Sequence, residues 1–346
     1  MVDYLSPDQR AFLKDRPVTT SFIQRLPLAR HHFRKYLALM PMAVEQFDLS
    51  AFDLVISSSH AVAKGVLTHS GQLHISYVHT PMRYAWDLQE QYLAGGQPTS
   101  RRKPVARALL HYMRVWDART ANGVDEFVVN SSFVARRVWK IYRRKAHVVY
   151  PPVDVDSFEI SEQKGPFYLT VSRLVPYKRV DLIVDAFSKL PGRRLIVIGD
   201  GPEFSRLKSK AASNVTMLGY QPFQVIREHM QRAQAFLFAA EEDFGIAPVE
   251  AQACGTPVVA LARGGATETV IDEHTGLYFA EPTVESLVSA LHKFENIKAP
   301  FDPNRIRHNA ERFGIARFRR EFSNLIEREY AEFLSAQAHD HSTPLS

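Results

Sequence analysis

The sequence predicts an α/β protein with two doubly wound parallel sheets. Short apolar runs alternate with helical stretches in both halves of the chain, which is the pattern of parallel sheets covered by helices. A stiff connector, Pro151 and Pro152 followed by Val153–Asp156, separates the halves because proline excludes a helix there. The chain has 346 residues, 45% of them hydrophobic, so it can bury two cores.

Ten apolar runs are predicted as buried strands, each short enough to cross a sheet once. Four precede the connector: Asp53–Ser59, Leu73–Thr80, Glu126–Ser131 and His147–Tyr150. Six follow it: Phe167–Val171, Leu195–Ile198, Val215–Leu218, Phe236–Ala240, Val258–Leu261 and Leu277–Ala280. Ligands of doubly wound sheets bind at the carboxyl ends of strands, so we expect functional residues there and a cleft between the two domains.

The domain limits follow from the connector and from the end of the alternation. Residues 1–152 form the predicted first domain, and residues 153–315 form the second. The amphipathic pattern from Arg317 to Phe333 predicts a helix over residues 316–336. The polar residues 337–346 are predicted to be a disordered tail.

The positive charge of the chain is concentrated in its first half. The formal net charge is +6, and residues 1–155 hold 21 Lys and Arg against 12 Asp and Glu. Basic residues over 101–119 are interleaved with Val105, Leu109 and Tyr112 at helical spacing. This pattern favours either a helix on an anionic membrane surface or a core-facing helix with a solvated basic face. Nucleic-acid binding is disfavoured, because no recognition motif accompanies the charge.

The cysteine content and the hydropathy pattern bear on location. The single cysteine, Cys254, excludes an internal disulfide and favours a reducing compartment. No run approaches the roughly 18 apolar residues that span a bilayer. We therefore expect a cytoplasmic protein, with a peripheral position on the inner face of the membrane as the variant that the basic stretch suggests.

The pattern over residues 238–260 points to a ligand. An acidic turn contains Glu242, and a predicted helix that contains Glu250 opens near Pro248 and ends at Gly255. Free amides at a helix start bind phosphate, and carboxylates accept hydrogen bonds from sugar hydroxyls. The pattern favours a nucleotide-sugar site, and the alternative is a pair of solvated helix charges.

Basic residues and glycine turns follow other predicted strands. Arg173 and Lys178 come after Phe167–Val171, where two cations can neutralise a pyrophosphate. Gly201 lies in a strand-to-helix turn, and Gly264 follows a later strand, so the backbone can approach a ligand closely at both. Solvated loop cations and ordinary turn glycines are the alternative interpretation.

The run Glu-Asp-Phe-Gly-Ile-Ala-Pro-Val-Glu-Ala-Gln-Ala-Cys-Gly-Thr-Pro-Val-Val, which begins at Glu242, resembles the Glu-x7-Glu signature of a known family. That family is the retaining family 4 glycosyltransferases, or glycosyl transferases group 1. Its members have the GT-B fold, two Rossmann-like doubly wound domains that face a cleft. The resemblance covers nearly all of this chain. It implies that Glu242 binds the hydroxyls of the donor sugar and that Glu250 binds the ribose.

The resemblance implies roles for further residues. Arg173 and Lys178 would hold the donor phosphates. His-Thr-Pro-Met-Arg-Tyr from His79 to Tyr84 resembles a segment of polysaccharide mannosyltransferase-like members, in which the histidine faces the donor sugar. The implied catalytic residues are therefore Glu242, His79, Arg173 and Lys178. The other implied donor-binding residues, besides Glu250, are Phe244, Gly245, Ile246, Gly201 and Gly264.

The first domain departs from the family pattern. Members normally begin with a strand, a Gly-Gly-rich loop and a helix, and residues 1–50 do not have this pattern. About fifty N-terminal residues are expected to be missing relative to the family. An internal methionine taken as the start and a true short form both remain open, and impaired activity is one consequence.

No metal and no cofactor are expected. Asp154 and Asp156 imitate a metal-binding Asp-x-Asp motif, but they lie in the connector and not at a strand end. The resembled fold uses cationic side chains and helix dipoles to stabilise the diphosphate, so transfer is predicted to be metal-independent. The donor substrate is expected to be a GDP- or UDP-linked sugar.

The leading hypothesis is a retaining hexosyltransferase of surface-glycan or exopolysaccharide biosynthesis. It would move a sugar, with mannose as the expected one, from a nucleotide-diphosphate sugar to a polysaccharide or lipid-linked acceptor. Two alternatives stay open. One is a sugar-nucleotide epimerase of similar two-domain shape, and the other is a non-catalytic, truncated protein that binds nucleotide sugars.

Overall fold

The chain is divided into two compact units. The computed structural model describes residues 3–4, 11–14, 16–90, 93, 103–161, 163–297 and 301–342. By its contacts, the first unit comprises residues 1–130, 134–148 and 324–346, and the second comprises residues 131–133 and 149–323. The predicted boundary was at residues 152 and 153.

The first unit contains a parallel sheet of four strands. They are β1 (Leu54–Ser59), β2 (Leu73–Val78), β3 (Glu126–Val129) and β4 (His147–Val148), and they lie side by side in chain order. Every residue of β2 is buried, as expected for an inner strand covered on both faces, whereas burial alternates along the edge strand β1. None of the described residues before Leu54 forms a strand.

Helices cover this sheet and supply the core of the first unit. They are α1 (Ala29–His32), α2 (Met40–Glu45), α3 (Lys103–Thr120) and α4 (Ser132–Tyr142). On α3, Leu110, Met113 and Trp116 are buried at a spacing of three, so one face of the helix packs inward. Short 3-10 segments lie at Ala11–Leu13, Phe22–Arg25, Phe33–Leu39, Ala63–Gly65 and Ala121–Gly123.

The second unit contains a parallel sheet of six strands. They are β5 (Phe167–Val171), β6 (Arg194–Ile198), β7 (Val215–Gly219), β8 (Phe236–Phe238), β9 (Val258–Leu261) and β10 (Gly276–Phe279). Their order is β10-β9-β8-β5-β6-β7. The chain adds strands in one direction from β5 and then in the other from β8. Between β5 and β8 the order reverses, and at such a switch point doubly wound sheets bind ligands.

Among the described residues, the helices that belong wholly to the second unit are α5 (Val180–Ser188), α6 (Phe204–Lys210), α7 (Phe223–Arg232), α8 (Ile246–Ala253), α9 (Ala266–Thr269), α10 (Val284–Glu295) and α11 (Pro303–Glu311). On α5 the buried residues include Val180, Ile183, Val184 and Phe187, the spacing of one helix face. Further 3-10 turns lie at Val155–Ser157 and Pro176–Lys178.

The chain ends in a long helix, α12 (Ile315–Ser342), whose residues belong to the first unit from Asn324 onward. The predicted disordered tail over residues 337–346 is wrong as far as Ser342. Ala336, Gln337 and Ala338 favour a helix, and the Gln337 amide donates to the carbonyl of Ser70 at 3.3 Å. Residues 343–346 lie outside the described part of the chain.

The prediction of an α/β fold with two parallel sheets is confirmed, with four described strands before the connector and six after it, and the reversed strand order of a doubly wound sheet is seen in the second. Several strands end earlier than predicted: β2 ends at Val78, β3 at Val129 and β8 at Phe238. The polar residues that follow β2 and β3, and two alanines that follow β8, leave the ladder at the carboxyl edge. Among the described helices, none is both long and apolar enough to cross a membrane.

Candidate functional site

Two loops meet at the switch point of the second unit. The first, Ser172–Val175, and the 3-10 turn that follows it leave the carboxyl end of β5. The second, Ala239–Gly245, leaves the carboxyl end of β8 and leads into α8. Because β5 and β8 are hydrogen-bonded neighbours, paired at Leu169 and Phe236, both loops begin at the same point of the sheet edge.

The loops are joined by an ion pair. The ammonium group of Lys178 donates to the Glu242 carboxylate, and the two side chains are 20% and 16% exposed. Lys178 also lies over the ring of Tyr177, 5.7 Å from its centroid. The Arg173 side chain is exposed and has no ion pair with any described residue. Three predicted site residues are therefore placed on two adjacent loops.

A glycine turn holds the backbone of Glu242. Gly264 has φ +66°, and a Cβ there would lie 2.4 Å from the carbonyl oxygen of Glu242. The amide of Gly265 donates to that same oxygen at 2.8 Å. Only glycine allows this approach, because a side chain at position 264 would collide with the Glu242 backbone. Gly264 therefore lies against the Glu242 backbone and sets the path of that loop, and its predicted contact with the donor stays a prediction.

A second glycine turn supports the loop of Arg173. Gly201 has φ +157°, and a Cβ there would lie 2.4 Å from the carbonyl oxygen of Leu174. The Leu174 amide donates to the carbonyl of Asp200 at 2.9 Å, and the Leu174 carbonyl accepts from the Glu203 amide at 3.1 Å. The turn after β6 therefore braces the turn after β5.

The start of α8 completes this edge of the second unit. Gly245 is its N-cap, and Ile246, its first residue, has a side chain that is 46% exposed. The first amides of the helix have no partner within it, which favours an anion. The Phe244 side chain is buried between Tyr150 and Phe313, with ring centroids 5.8 and 5.4 Å away. Phe244 can therefore reach a ligand only through its backbone.

Glu250 lies on α8 and is partly buried. Burial raises the pKa of this carboxyl group above its ordinary value. Its carboxylate makes no ion pair or side-chain hydrogen bond within the described residues. A partly desolvated acid without a partner is costly for stability, and residues of this kind are enriched at functional sites.

His79 belongs to the first unit and directly follows β2. Its Nε2 lies 2.8 Å from Ser58 Oγ, its amide donates to the carbonyl of Ser59 at 2.8 Å, and its own carbonyl accepts from Asn130 at 3.0 Å. The imidazole meets Tyr77 edge-on at 5.2 Å. The structure therefore places His79 at the carboxyl edge of the first sheet, as its strand-end position indicated.

The Asp-x-Asp imitation in the connector is not built as a metal site. Asp154 and Asp156 are exposed, and the Asp154 carboxylate accepts from Ser157 Oγ at 2.6 Å within a 3-10 turn. Neither aspartate belongs to a group of three or more metal-ligating side chains in the described part of the chain.

Glu268 on α9 makes several contacts near the predicted site residues but was not itself predicted from the sequence. Its carboxylate accepts from the amides of Ser132 and Phe133 at 2.8 and 2.9 Å and from the Tyr150 hydroxyl at 3.1 Å. Residues 131–133 thereby join the second unit, and Ser131 Oγ donates to the carbonyl of Asp243. The sequence shows a glutamate three residues after the Gly264-Gly265 pair. That local pattern does not indicate which distant amides the carboxylate binds.

A cavity of about 450 Å³ lies elsewhere in the second unit. Lys164, Tyr168, Gln234 and Pro257 line it, close to the amino ends of β5, β8 and β9. The switch-point residues are at the opposite ends of these strands. We assign the candidate site to the carboxyl edge, because the ion pair, the helix start and the two glycine turns lie there.

Two family models together account for nearly the whole chain. Residues 2–157 match Glycosyltransferase Family 4, and residues 154–313 match Glycosyl transferases group 1. This chain belongs to the group 1 glycosyltransferases. The resemblance identified in the sequence is confirmed at the level of the family.

Curated relatives of this glycosyltransferase chain are longer than it is. A D-inositol 3-phosphate glycosyltransferase of Mycobacteroides abscessus is 30% identical over an alignment of 243 residues, and the match covers 63% of this chain and 52% of that protein. The protein of the same name from Mycobacterium tuberculosis is 32% identical over an alignment of 188 residues, and the match covers 47% of this chain and 39% of that protein. The chain thus spans about half or less of the length of these relatives.

Solved glycosyltransferase structures share the fold. HepE of Anabaena, in complex with UDP and glucose, matches 90% of this chain and 84% of its own, with a TM-score of 0.61 and 17% identity. Sucrose-phosphate synthase from Thermosynechococcus elongatus matches 88% of this chain and 80% of its own, with a TM-score of 0.66 and 16% identity. At such identities the likeness shows the GT-B fold alone.

Proposed function

We propose that this chain transfers a sugar from a nucleotide-diphosphate donor, with retention of the anomeric configuration. The observation that supports this most directly is the Lys178–Glu242 pair at the switch point, with Arg173 exposed on the same loop and the start of α8 close by in sequence. Cations and helix amides suit a diphosphate, and a carboxylate suits sugar hydroxyls.

Donor binding would exchange partners within this site. The diphosphate attracts Lys178 away from Glu242, and Arg173 joins it, so that both cations stabilise the negative charge that develops on the leaving group. Glu242 is then free to accept hydrogen bonds from the donor sugar. Glu250, on α8, is assigned to the ribose hydroxyls. The departing phosphate oxygen accepts the proton of the acceptor hydroxyl, so no separate base is required.

We also propose which sugar is transferred and which class of acceptor receives it. Mannose is proposed because the segment that begins at His79 resembles mannosyltransferase-like members. The names of the mycobacterial relatives favour a phosphorylated polyol as a second acceptor class, besides a polysaccharide or a lipid-linked glycan. The HepE complex with UDP supports a comparison of UDP- with GDP-linked donors.

A peripheral membrane position would suit a lipid-linked acceptor. On α3, Val105, Tyr112 and Val115 are 71%, 45% and 56% exposed, and the same helix also exposes basic side chains such as Arg107 and Arg119. Apolar side chains beside lysine and arginine favour the interface of an anionic bilayer. We therefore propose a cytoplasmic protein that binds the inner membrane face through α3, in surface-glycan synthesis.

The test is a donor and acceptor matrix that measures released nucleoside diphosphate and identifies the product. GDP-mannose, UDP-glucose and UDP-galactose are each combined with inositol 3-phosphate, an octyl mannoside or no acceptor. We expect acceptor-stimulated release and an anomeric configuration equal to that of the donor. EDTA should leave the rate unchanged, because the diphosphate is neutralised by side chains.

Variants of the ion pair link the rate to the site. Glu242→Gln should lower transfer about 100-fold while nucleoside diphosphate binding changes little. Lys178→Gln should weaken diphosphate binding about tenfold. Lys189→Gln is the matched control, because Lys189 pairs with Glu285 on the exposed surface of the same unit. Normal transfer by the Glu242 variant would remove this residue from the reaction.

The same combinations of donor and acceptor distinguish a transferase from an epimerase and from a non-catalytic binding protein. An epimerase would leave the acceptor unmodified. It would invert one stereocentre of the donor sugar, and analysis of the recovered nucleotide sugar would detect the epimer. A non-catalytic protein would bind nucleotide sugar in calorimetry but release no diphosphate under any condition.

A further inference from the structure

Three metal-ligating side chains from distant parts of the sequence meet in the first unit. Glu126 begins β3, His147 begins β4, and Glu329 lies on α12. One ligand atom from each lies within 4.8 Å of the other two. This group is separate from the switch-point residues, which all belong to the second unit, and glycosyl transfer as proposed above does not use it.

The distances suit a tetrahedral metal ion. His147 Nε2 lies 3.5 Å from Glu126 Oε2 and 3.7 Å from Glu329 Oε1. In a tetrahedral zinc site the ligand atoms lie about 3.4 Å apart, because each is about 2.1 Å from the ion. Small side-chain rotations would therefore bring the three atoms to ligand distance. The imidazole makes no hydrogen bond with a described residue, so its nitrogen is available as a donor.

The burial and the charge of these three side chains favour a bound cation. The Glu329 side chain is only 10% exposed, while Glu126 and His147 are 36% and 45% exposed. The buried carboxylate faces a second carboxylate, and a divalent ion between them would relieve their repulsion. The exposed side gives an entry path and a fourth position for water. Arg328 contacts Glu329 and is the competitor that a metal must displace.

We propose that Glu126, His147 and Glu329 form a zinc site that fastens α12 to the edge of the first sheet. One nitrogen and two carboxylate oxygens are ligands for zinc, whereas magnesium prefers an all-oxygen shell. The two-residue strand β4 is the edge strand of the sheet, and a metal bond from it to α12 would hold the helix against this edge. The role is structural, and transfer stays metal-independent.

The first experiment is a calorimetric titration of the full chain with zinc chloride at about pH 7.5. The affinity tag is removed and the protein is freed of metal with a chelator beforehand. We expect one zinc ion per chain and no competition by magnesium. His147→Gln should weaken zinc binding more than about tenfold, because even outer-shell partners of metal ligands contribute that much.

Two controls test other histidines. His308 pairs with Glu311 at 3.4 Å but is 85% exposed, so His308→Gln should bind zinc like the parent. His339 and His341 stand two residues apart in the sequence, and a variant with both changed to Gln should also retain the site. Loss of zinc binding in that double variant would assign the metal to the C-terminal histidines and overturn the proposal.

A second measurement does not depend on affinity. Zinc should raise the melting temperature and slow amide exchange in β4 and in α12 from Asn324 onward, while exchange in β9 of the second unit stays unchanged. Cobalt in place of zinc should show the visible absorption of a tetrahedral site, and His147→Gln should abolish it. Failure to bind one equivalent of zinc, or an unaltered cobalt spectrum in the variant, would overturn the site.

Discussion

The two units bury different kinds of side chain. Within the described residues, the buried charged side chains, Lys64, Asp117, Arg137 and Glu329, all belong to the first unit. The polar side chains buried in the second unit are neutral, such as Gln252 and Asn309, which bond to each other at 2.7 Å. The first unit buries charged side chains in its core, whereas in the second unit the pair Lys178–Glu242 lies at the sheet edge and stays 20% and 16% exposed.

The pair Lys64–Asp117 shows what core charges require. Lys64 Nζ lies 3.1 Å from Asp117 Oδ1 and donates to the Asp117 carbonyl and to Thr120 Oγ1 at 2.6 and 2.7 Å. The carboxylate also accepts from Trp86 at 2.8 Å and from the Tyr142 hydroxyl at 2.9 Å. Burial lowers the pKa of Lys64, and the nearby carboxylate opposes that effect. Such a pair is stable only while every partner remains.

The two sheets also differ in the order of their strands. The four strands of the first unit follow one another in one direction, and no reversal of order occurs among the described strands. In the second unit the order reverses between β5 and β8, and Lys178 and Glu242 follow these two strands. A binding crevice arises where neighbouring strands send their crossovers in opposite directions. Strand order therefore decides which unit can present a switch-point site.

The largest expected effect on stability comes from removing a buried charge of the first unit. Asp117→Ala should lower the free energy of unfolding by about 3–5 kcal/mol, because Lys64 is left buried without its counter-ion. Hydrogen exchange should accelerate in β1 and β2 and stay unchanged in β6 and β9. The double variant Lys64→Met with Asp117→Leu should recover much of the loss. Equal acceleration in both units would refute the proposed difference between them.

The next effect concerns the site loop of the second unit. Gly264→Ala should destabilise that unit by about 2 kcal/mol and lower transfer, because the new Cβ meets the Glu242 carbonyl in a left-handed backbone. Gly192→Ala is the matched control, since nothing lies within 4 Å of a Cβ there. Thermal unfolding and the transfer rate check both variants. If the two behave alike, the close approach at Gly264 does not position Glu242.

A smaller effect separates stability from function at Glu250. Burial raises the pKa of this carboxyl, so its ionised form at neutral pH is disfavoured in the folded state, and stability falls as pH rises through the folded-state pKa. Glu250→Gln should therefore raise the melting temperature at neutral pH. It should weaken nucleotide-sugar binding about tenfold, since a charged acceptor is lost. Calorimetry with unchanged affinity would exclude Glu250 from the site.

The smallest effect is the pH dependence contributed by Lys164 in the second unit. Burial lowers the pKa of this amine from 10.5 to about 8. Between these values the unfolded chain binds more protons, so the free energy of unfolding should rise with pH. Lys164→Met should remove about 1 kcal/mol of that rise, a figure reduced for partial exposure. Lys189→Met, at an exposed lysine, should leave the slope unchanged, and an unchanged slope in both would contradict the assignment.

Local pattern was sufficient to locate most of the elements. The predicted strands Phe167–Val171 and Val258–Leu261 have the bounds that the structure shows. Inner strands of a parallel sheet are buried on both faces, so their apolar composition is itself the signal. The same local signal identified Arg173 and Glu242 after strands. It was wrong for residues 337–342, where polar but helix-favouring residues extend α12.

The tertiary structure alone decided which side chains meet. Lys178 and Glu242 are 64 residues apart, and their contact depends on β8 pairing with β5. Lys64 and the Asp117 carbonyl are 53 residues apart, and Glu126, His147 and Glu329 come from two strands and the last helix. Sequence periodicity reports whether a residue faces a core, because burial repeats along one element. It cannot report which distant element lies opposite, because strand order depends on how the whole chain closes its crossovers.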